Sequence, residues 1–129
     1  MSHWSLAETP IKNIDLLKKG AEKVGLKVET GNVVARGYGR RKERVDAVIR
    51  GNSYDIGFKW SREKGKYDVI ADVWGWETEK GRGSYKKTMD SLVDRYTSEE
   101  MKKVARAKGH MIHETVEEDG TIRLRVRTA

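Results

Sequence analysis

Cysteine is absent from the 129-residue chain, and proline occurs only once. The lack of cysteine excludes disulfide bonds, thiolate nucleophiles and the common zinc sites, and it is typical of a reducing compartment. Long apolar runs are also missing, because no window approaches the ~18 apolar residues of a membrane-spanning helix. The first residues have neither the basic nor the apolar region of a secretory signal. We therefore expect a protein of the cytoplasm or of an organelle stroma.

Charge, in contrast, is abundant and uneven. The chain contains 27 Lys and Arg against 20 Asp and Glu, which leaves a net charge of +7. Such a surplus favours acidic partners such as nucleic acid, anionic lipid or acidic protein. Residues 36–50 contribute more than half of the surplus. Charge that served only solubility would not be expected to cluster in this way.

The spacing of apolar residues predicts both helices and strands. Asn13 and Ser84 are expected to cap two helices, which Gly25 and Gly109 end. Alternation with a period of two predicts strands at 45–50, 54–60 and 67–73, and the short turns between them imply antiparallel pairing. A short strand at residues 2–9 and an extended segment from residue 28 complete this part of the chain. The predicted fold is a single α+β domain covering residues 1–129, with a curved, mainly antiparallel sheet, two helices packed on one face and a second face left partly to solvent.

Two local signals concern the second half of the chain. Thr97 and Glu100 form a capping box, so two helices meeting near residue 97 are an alternative to one helix over 84–108. Asp119-Gly120 predicts a hairpin of strands 111–116 and 122–126. A type I′ turn is expected there, which requires positive φ at both central residues.

The basic segment is the first candidate site. It combines cations for phosphate groups, glycines for close backbone approach and an aromatic ring for base stacking. It matches only the first half of the RNA-recognition-motif signature, because charged residues follow where that signature requires apolar and aromatic ones. The alternative is a solvated loop or strand tip whose charges prevent edge pairing. The candidate polyanion-binding residues here are Arg36, Tyr38, Arg40, Arg41, Lys42, Arg44 and Arg50.

A second group of candidates lies on the last predicted strand. Arg123, Arg125 and Arg127, which we call the arginine row, share one face because side chains alternate along a strand. The row can follow a phosphate backbone or an acidic protein surface. The alternative is cross-strand pairing with the chain's own aspartates, namely Asp55, Asp68 or Asp72.

Trp74 and Trp76 are the candidate docking residues for a protein partner. The alternation predicts that both lie at the end of a strand, on the same face as Ile70. In that position they form either an exposed docking pair or part of the core beneath a helix.

Catalysis is disfavoured by the same sequence. The glycine patterns of P-loops and dinucleotide-binding motifs are absent, and the three histidines form no convincing ligand cluster. We expect a non-catalytic basic module without cofactor or metal that binds RNA or single-stranded DNA. The alternative is an accessory or assembly subunit that docks on an acidic protein partner. The sequence leaves the oligomeric state open.

Short fragments along the whole chain carry a family resemblance. They are Met1-Ser2-His3-Trp4-Ser5, Leu16-Leu17-Lys18-Lys19, Gly25-Leu26, Arg36-Gly37-Tyr38, Ala47-Val48-Ile49-Arg50, Tyr54-Asp55-Ile56-Gly57-Phe58, Val69-Ile70-Ala71-Asp72, Arg95-Tyr96 and Asp119-Gly120-Thr121-Ile122-Arg123-Leu124. Through them the chain resembles a family of short proteins of unknown function encoded in red-algal chloroplast, cyanobacterial and other bacterial genomes. The chain departs from the family pattern between Trp74 and Tyr85, where Gly, Lys and Arg replace a more apolar stretch. The resemblance implies a small intracellular domain, without an assigned activity or ligand.

Overall fold

A computed structural model describes residues 5–79 and 83–128 of the chain. The predicted opening strand is present from residue 5, and residues 2–4 lie outside the described part. In chain order the elements are β1 (Ser5–Glu8), α1 (Ile14–Lys23), β2 (Val28–Arg36), β3 (Lys42–Arg50), β4 (Asp55–Ser61), β5 (Lys66–Ala71), α2 (Val73–Thr78), α3 (Tyr85–Ala107), β6 (Met111–Val116) and β7 (Ile122–Arg127).

The strands form two separate sheets. Five of them form one antiparallel sheet in the order β1-β5-β4-β3-β2, while β6 and β7 pair only with each other. The predicted α+β class with a mainly antiparallel sheet is therefore confirmed. The separation of the last hairpin from the main sheet was not predicted from the sequence.

Local capping residues position helix α1 as predicted. The Asn13 side chain accepts a hydrogen bond from the Leu16 N–H at 3.1 Å, which satisfies one of the free donors at the helix start. At the other end Gly25 adopts a φ of 74°, and the Leu26 N–H donates to the Ala21 carbonyl at 2.9 Å. This geometry is a Schellman motif, and it reverses the chain into β2.

Helix α3 begins and ends in the same way. Ser84 caps its start by accepting from the Lys87 N–H at 3.3 Å, and Gly109 follows its end with a φ of 76°. The helix is continuous from Tyr85 to Ala107, so the alternative of two helices meeting near residue 97 is wrong.

Both long helices pack on one face of the main sheet, as predicted. The core between the helices and the sheet contains Leu17 and Ala21 from α1, Leu92 and Tyr96 from α3, and Phe58 from β4. The helices cross closely at Gly20, where an added Cβ would lie 3.0 Å from the Tyr96 backbone nitrogen. Helix α2 was not predicted and is described with the site.

The opposite face of the sheet is partly covered by the β2–β3 hairpin, which bends back over it. At the tip of this hairpin, Arg36 is the cross-strand neighbour of Lys42 in the β2–β3 ladder. Lys42 lies eight residues before Arg50 on β3. A straight ladder would separate the two ends by about 26 Å. Yet the Arg36 N–H donates to Asp55, the residue paired with Arg50, at 2.8 Å. The bend coincides with a register shift between Thr30 and Val33, where β2 contains an extra residue.

Gly57 of β4 accommodates this bend. A Cβ at that position would lie 2.8 Å from Val45 Cγ1 and 3.0 Å from the Ala35 Cβ. Ala35 and Val45 come from the folded-back part of the hairpin, and they pack with Val48 and Ile70 of the flat part of the sheet. The curved sheet therefore has a second, smaller core on the face opposite the helices.

Substituting Gly57 tests the bend. Gly57→Ala is expected to lower the free energy of unfolding by about 1–3 kcal/mol, because the added methyl group overpacks the second core. Val45→Ala should remove the closest clash, so the double variant should lose less stability than the sum of the two single variants. Urea unfolding of the four proteins measures this coupling. Additive losses would show that residue 57 and the hairpin are not in contact.

The turn between β6 and β7 differs from the predicted type. Gly120 has a φ of 89°, but no non-glycine residue of the described chain has a positive φ, so a type I′ turn is wrong. The strands are instead joined by residues 117–121, closed by a hydrogen bond from the Glu117 N–H to the Thr121 carbonyl at 2.9 Å. The longer connection needs a left-handed conformation only at the glycine.

Candidate binding surface

A buried carboxylate, Asp55, anchors the base of the candidate surface. Its side chain is 0% exposed, and it accepts hydrogen bonds from the Arg36 N–H and Nε, each at 2.8 Å to Oδ2. Arg36 Nη2 donates to Oδ1 at 2.8 Å, Arg50 Nη1 donates at 3.0 Å and the Gly51 N–H at 3.1 Å. We call Asp55, Arg36 and Arg50 the Asp55 anchor. Two of the seven candidate residues of the basic segment therefore bind a carboxylate of the chain itself.

The surroundings of Asp55 favour its ionised form. Burial by itself raises the pKa of the carboxyl group, but the hydrogen bonds and the charge of Arg36, together with the Gly51 N–H, lower it by more. The net pKa of Asp55 lies below its ordinary value. The anchor is therefore charged at neutral pH and holds the hairpin tip against β4.

The remaining cations of the segment are exposed. We call Arg40, Arg41, Lys42 and Arg44 the basic tip, and within the described residues none of them has a carboxylate within ion-pair distance. The two acidic residues of the segment are engaged elsewhere. Glu43 pairs with Lys59 at 3.0 Å, and Asp46 accepts from the Trp60 N–H at 2.7 Å. Four positive charges thus lie together without neutralisation.

Two exposed aromatic residues lie at the same end of the molecule. The Tyr38 side chain, 58% exposed, follows the anchor directly, and its N–H donates to Asp72 Oδ2 at 3.2 Å. Asp72 also caps α2 by accepting from the Gly75 N–H at 2.9 Å, which places Trp74, 52% exposed, two residues beyond it. Phenol and indole rings adjoining a cationic tip can stack on nucleobases.

The predicted placement of Trp74 and Trp76 on a strand is wrong. The strand ends at Ala71, because the Asp72 side chain caps a short helix at once, and both tryptophans lie in α2. Trp76 is 1% exposed and belongs to the main core, while Trp74 faces solvent. The two residues therefore do not form an exposed pair on one face, and only Trp74 is available to a partner.

Helix α2 is tied to the turn after β3. The Glu79 carboxylate accepts hydrogen bonds from three consecutive N–H groups, those of residues 52, 53 and 54, at 2.7–2.8 Å. These N–H groups form a backbone concavity of the kind that binds anions, and here the anion is the chain's own carboxylate. Together with the Asp55 anchor, this contact holds α2 and the hairpin tip against the turn between β3 and β4.

The arginine row lies on the separate β6–β7 sheet. All three side chains are exposed, on the face of the hairpin that carries Met111, His113 and Thr115 as their cross-strand neighbours. Arg123 forms an ion pair with Glu117. The alternative, in which the row pairs with the chain's own aspartates, is wrong. Asp55 binds Arg36 and Arg50, Asp68 binds Lys64, and Asp72 caps α2.

A buried ionic cluster attaches the β6–β7 hairpin to the helices. Lys102 of α3, only 6% exposed, binds Glu99 at 3.4 Å and Glu114 of β6 at 2.6 Å. Glu99 also pairs with Lys23 of α1, and Ser98 donates to Glu114 at 3.2 Å. Hydrogen bonding to Lys102 lowers the pKa of Glu114. Burial raises the pKa of Glu99, but the hydrogen bonds and charges of Lys23 and Lys102 together lower it by more. No pattern in the sequence indicated this cluster.

In the described chain, no group of three or more His, Asp or Glu residues is arranged to hold a metal ion. Across residues 5–79 and 83–128, no helix is long and apolar enough to cross a membrane.

The fold and the surface define a small α+β protein with an anchored, solvent-exposed basic tip. The chain belongs to the family described as protein of unknown function (DUF1257), whose model matches residues 21–125. It is 32% identical to the uncharacterized protein ycf35 of Guillardia theta over 126 residues, which cover 96% of this chain and 94% of the relative. The proteins of the same description from Cyanophora paradoxa and Pyropia yezoensis are each 29% identical, over 98% of this chain and 97% of theirs. No solved structure matches the chain significantly.

Proposed function

We propose that this protein is a non-catalytic module that binds single-stranded nucleic acid, RNA or DNA, through the basic tip. The observation that carries the proposal is the group of four exposed cations without carboxylate partners, held in place by the Asp55 anchor. Cations of this kind gain affinity for a phosphate backbone by releasing its counterions. We also propose that the protein works in the cytoplasm or an organelle stroma, because a chain without cysteine suits a reducing compartment.

The exposed aromatic residues support a single-stranded ligand over a duplex. Tyr38 and Trp74 are both more than half exposed beside the tip, and a base can stack on either ring only when it is not paired within a helix. No enclosed pocket is needed for such binding, because a base and its phosphate can lie along the surface. The surface therefore suits recognition of backbone and base faces without strong sequence preference.

A titration with labelled oligouridine and oligothymidine tests the proposal. Raising the salt concentration from ~50 to ~200 mM should reduce the affinity at least about tenfold, as expected when several phosphates are neutralised. The tip variant Arg40→Gln/Arg41→Gln/Lys42→Gln/Arg44→Gln should lose most of the binding. Tyr38→Ala and Trp74→Ala should each weaken it, and more for single strands than for duplex.

A matched control variant distinguishes binding through the basic tip from a general effect of the protein's net charge. The control variant Lys19→Gln/Lys27→Gln/Lys103→Gln/Arg106→Gln also removes four exposed cations, and none of these has an ion pair in the described chain. It should bind nearly as tightly as the unmodified protein. Absence of binding at ~50 mM salt, or equal losses in the two variants, would contradict the proposal.

A further inference from the structure

Strand β7 presents an open edge. The β6–β7 sheet has only two strands, and on the side away from β6 no strand in the described chain pairs with β7. Alternate residues of β7 therefore direct their N–H and C=O groups outward. An exposed edge of this kind is a template on which an extended segment of another protein can add a strand.

The two faces of β7 differ in chemistry. One face carries the arginine row, and the other carries Ile122, Leu124 and Val126. Next to the apolar face, Met101 of α3 is half exposed and lines a groove of about 390 Å³ together with Ile122 and Leu124. The rest of this groove is polar and is lined by Thr97, Ser98, Thr121 and Asp94. A strand added to this edge would thus contact cations on one side and apolar groups on the other.

The charge of the edge selects its partner. Arg125 and Arg127 have no carboxylate within ion-pair distance in the described chain, and the residues opposite the row on β6 are not acidic. Arginines two residues apart on a strand are about 6.6 Å apart, which is also the spacing of same-face residues on any extended segment that pairs with it. A nucleic acid can supply the negative charge, but it can supply neither the backbone ladder nor the alternating apolar side chains.

We propose that the free edge of β7 binds an extended acidic segment of a partner protein as a third strand. Glu or Asp at every second position of that segment faces the arginine row, and the apolar residues between them pack toward Leu124 and Met101. This surface is distinct from the basic tip, and the proposal goes beyond the binding of nucleic acid.

A pair of synthetic peptides tests the strand addition. One labelled peptide alternates Glu with Val, and the second has the same composition with its Glu residues grouped at one end. Fluorescence anisotropy at ~50 mM salt should show that the alternating peptide binds about tenfold more tightly, because only it matches both faces of the edge. Methylating backbone nitrogens at positions of one parity should abolish its binding, whereas methylation at the other parity should not.

Two variants locate the site. Arg123→Gln/Arg125→Gln/Arg127→Gln, whose side chains are all exposed, should weaken binding of the alternating peptide about tenfold, whereas the tip variant should not change it. A circular dichroism spectrum like that of the unmodified protein establishes that the variant is folded. Equal affinity for the two peptides, no binding of either, or unchanged affinity in the arginine-row variant would overturn the proposal. Loss of oligouridine binding in this variant instead of peptide binding would assign the row to nucleic acid and overturn it as well.

Discussion

Replacing Asp55 with Asn is expected to lower the free energy of unfolding by about 3 kcal/mol. The substitution keeps the shape of the side chain but removes the charge that two arginines share, and breaking a buried ion pair in this way costs about 3–5 kcal/mol. We expect the lower end of this energy range because Arg36 and Arg50 are partly exposed, so water can solvate their charges. Urea unfolding measures the loss. Asp90→Asn, which removes an exposed carboxylate from α3, serves as control and should have little effect.

The same carboxylate should determine part of the acid sensitivity of the protein. Because the pKa of Asp55 is lower in the folded than in the unfolded state, its contribution is fully present above the ordinary pKa of an aspartate. That contribution is lost as the pH falls through the folded-state pKa. Stability measured from neutral to acidic pH should therefore fall less steeply in Asp55→Asn than in the unmodified protein. If the free energy of unfolding changed with pH in the same way in both proteins, the ionisation of Asp55 would not contribute to stability.

Replacing Lys102 with Met is expected to cost about 3 kcal/mol and to release the β6–β7 hairpin. Met fills a similar volume, but Glu114 and Glu99 lose a buried cation that lies between them. A two-stranded sheet is marginally stable when it is not held against other elements. Hydrogen exchange should therefore accelerate in β6 and β7 while the main sheet stays protected.

Matched variants distinguish the loss of this ionic cluster from a general effect of changing residues on α3. Lys103→Met changes an exposed neighbour on the same helix and should leave exchange in the hairpin unchanged. Adding Glu99→Gln to Lys102→Met should restore part of the stability, because one buried carboxylate fewer then depends on the missing cation, while Glu114 keeps its ion pair with Arg95 at 3.6 Å. If Lys102→Met and Lys103→Met destabilise the protein equally, the cluster does not hold the hairpin.

The elements that could be predicted from the sequence are those with local causes. Asn13 and Ser84 cap helices through their own side chains, and Gly25 and Gly109 end them because they adopt positive φ. The strands of the main sheet follow from alternation with a period of two. Each of these signals lies within a few residues of the structure that it specifies.

The bend of the β2–β3 hairpin could not be predicted in this way. It depends on one extra residue between Thr30 and Val33 and on a contact between Arg36 and Asp55, which are 19 residues apart. Nothing in the local sequence pattern distinguishes Arg36 from the exposed arginines that follow it. Trp74 and Trp76 were misplaced for a related reason, because alternation continues past Ala71 although the Asp72 side chain begins a helix there.

Only part of the candidate site could therefore be predicted from the sequence. The sequence placed the surplus charge correctly in residues 36–50, but the structure divides these cations into the Asp55 anchor and the basic tip. The division depends on which carboxylates each arginine reaches after folding. The role of the tip residues and of the arginine row in binding stays a prediction.

The most direct measurement of the central claim is the dependence of oligouridine affinity on salt. Each phosphate neutralised on a single strand contributes about 0.7 to the slope of log affinity against log salt concentration, so four tip cations correspond to a slope of about −3. We predict that the tip variant lacks most of this slope, while the control variant retains it. Equal slopes for the tip variant and the unmodified protein would contradict binding through the basic tip.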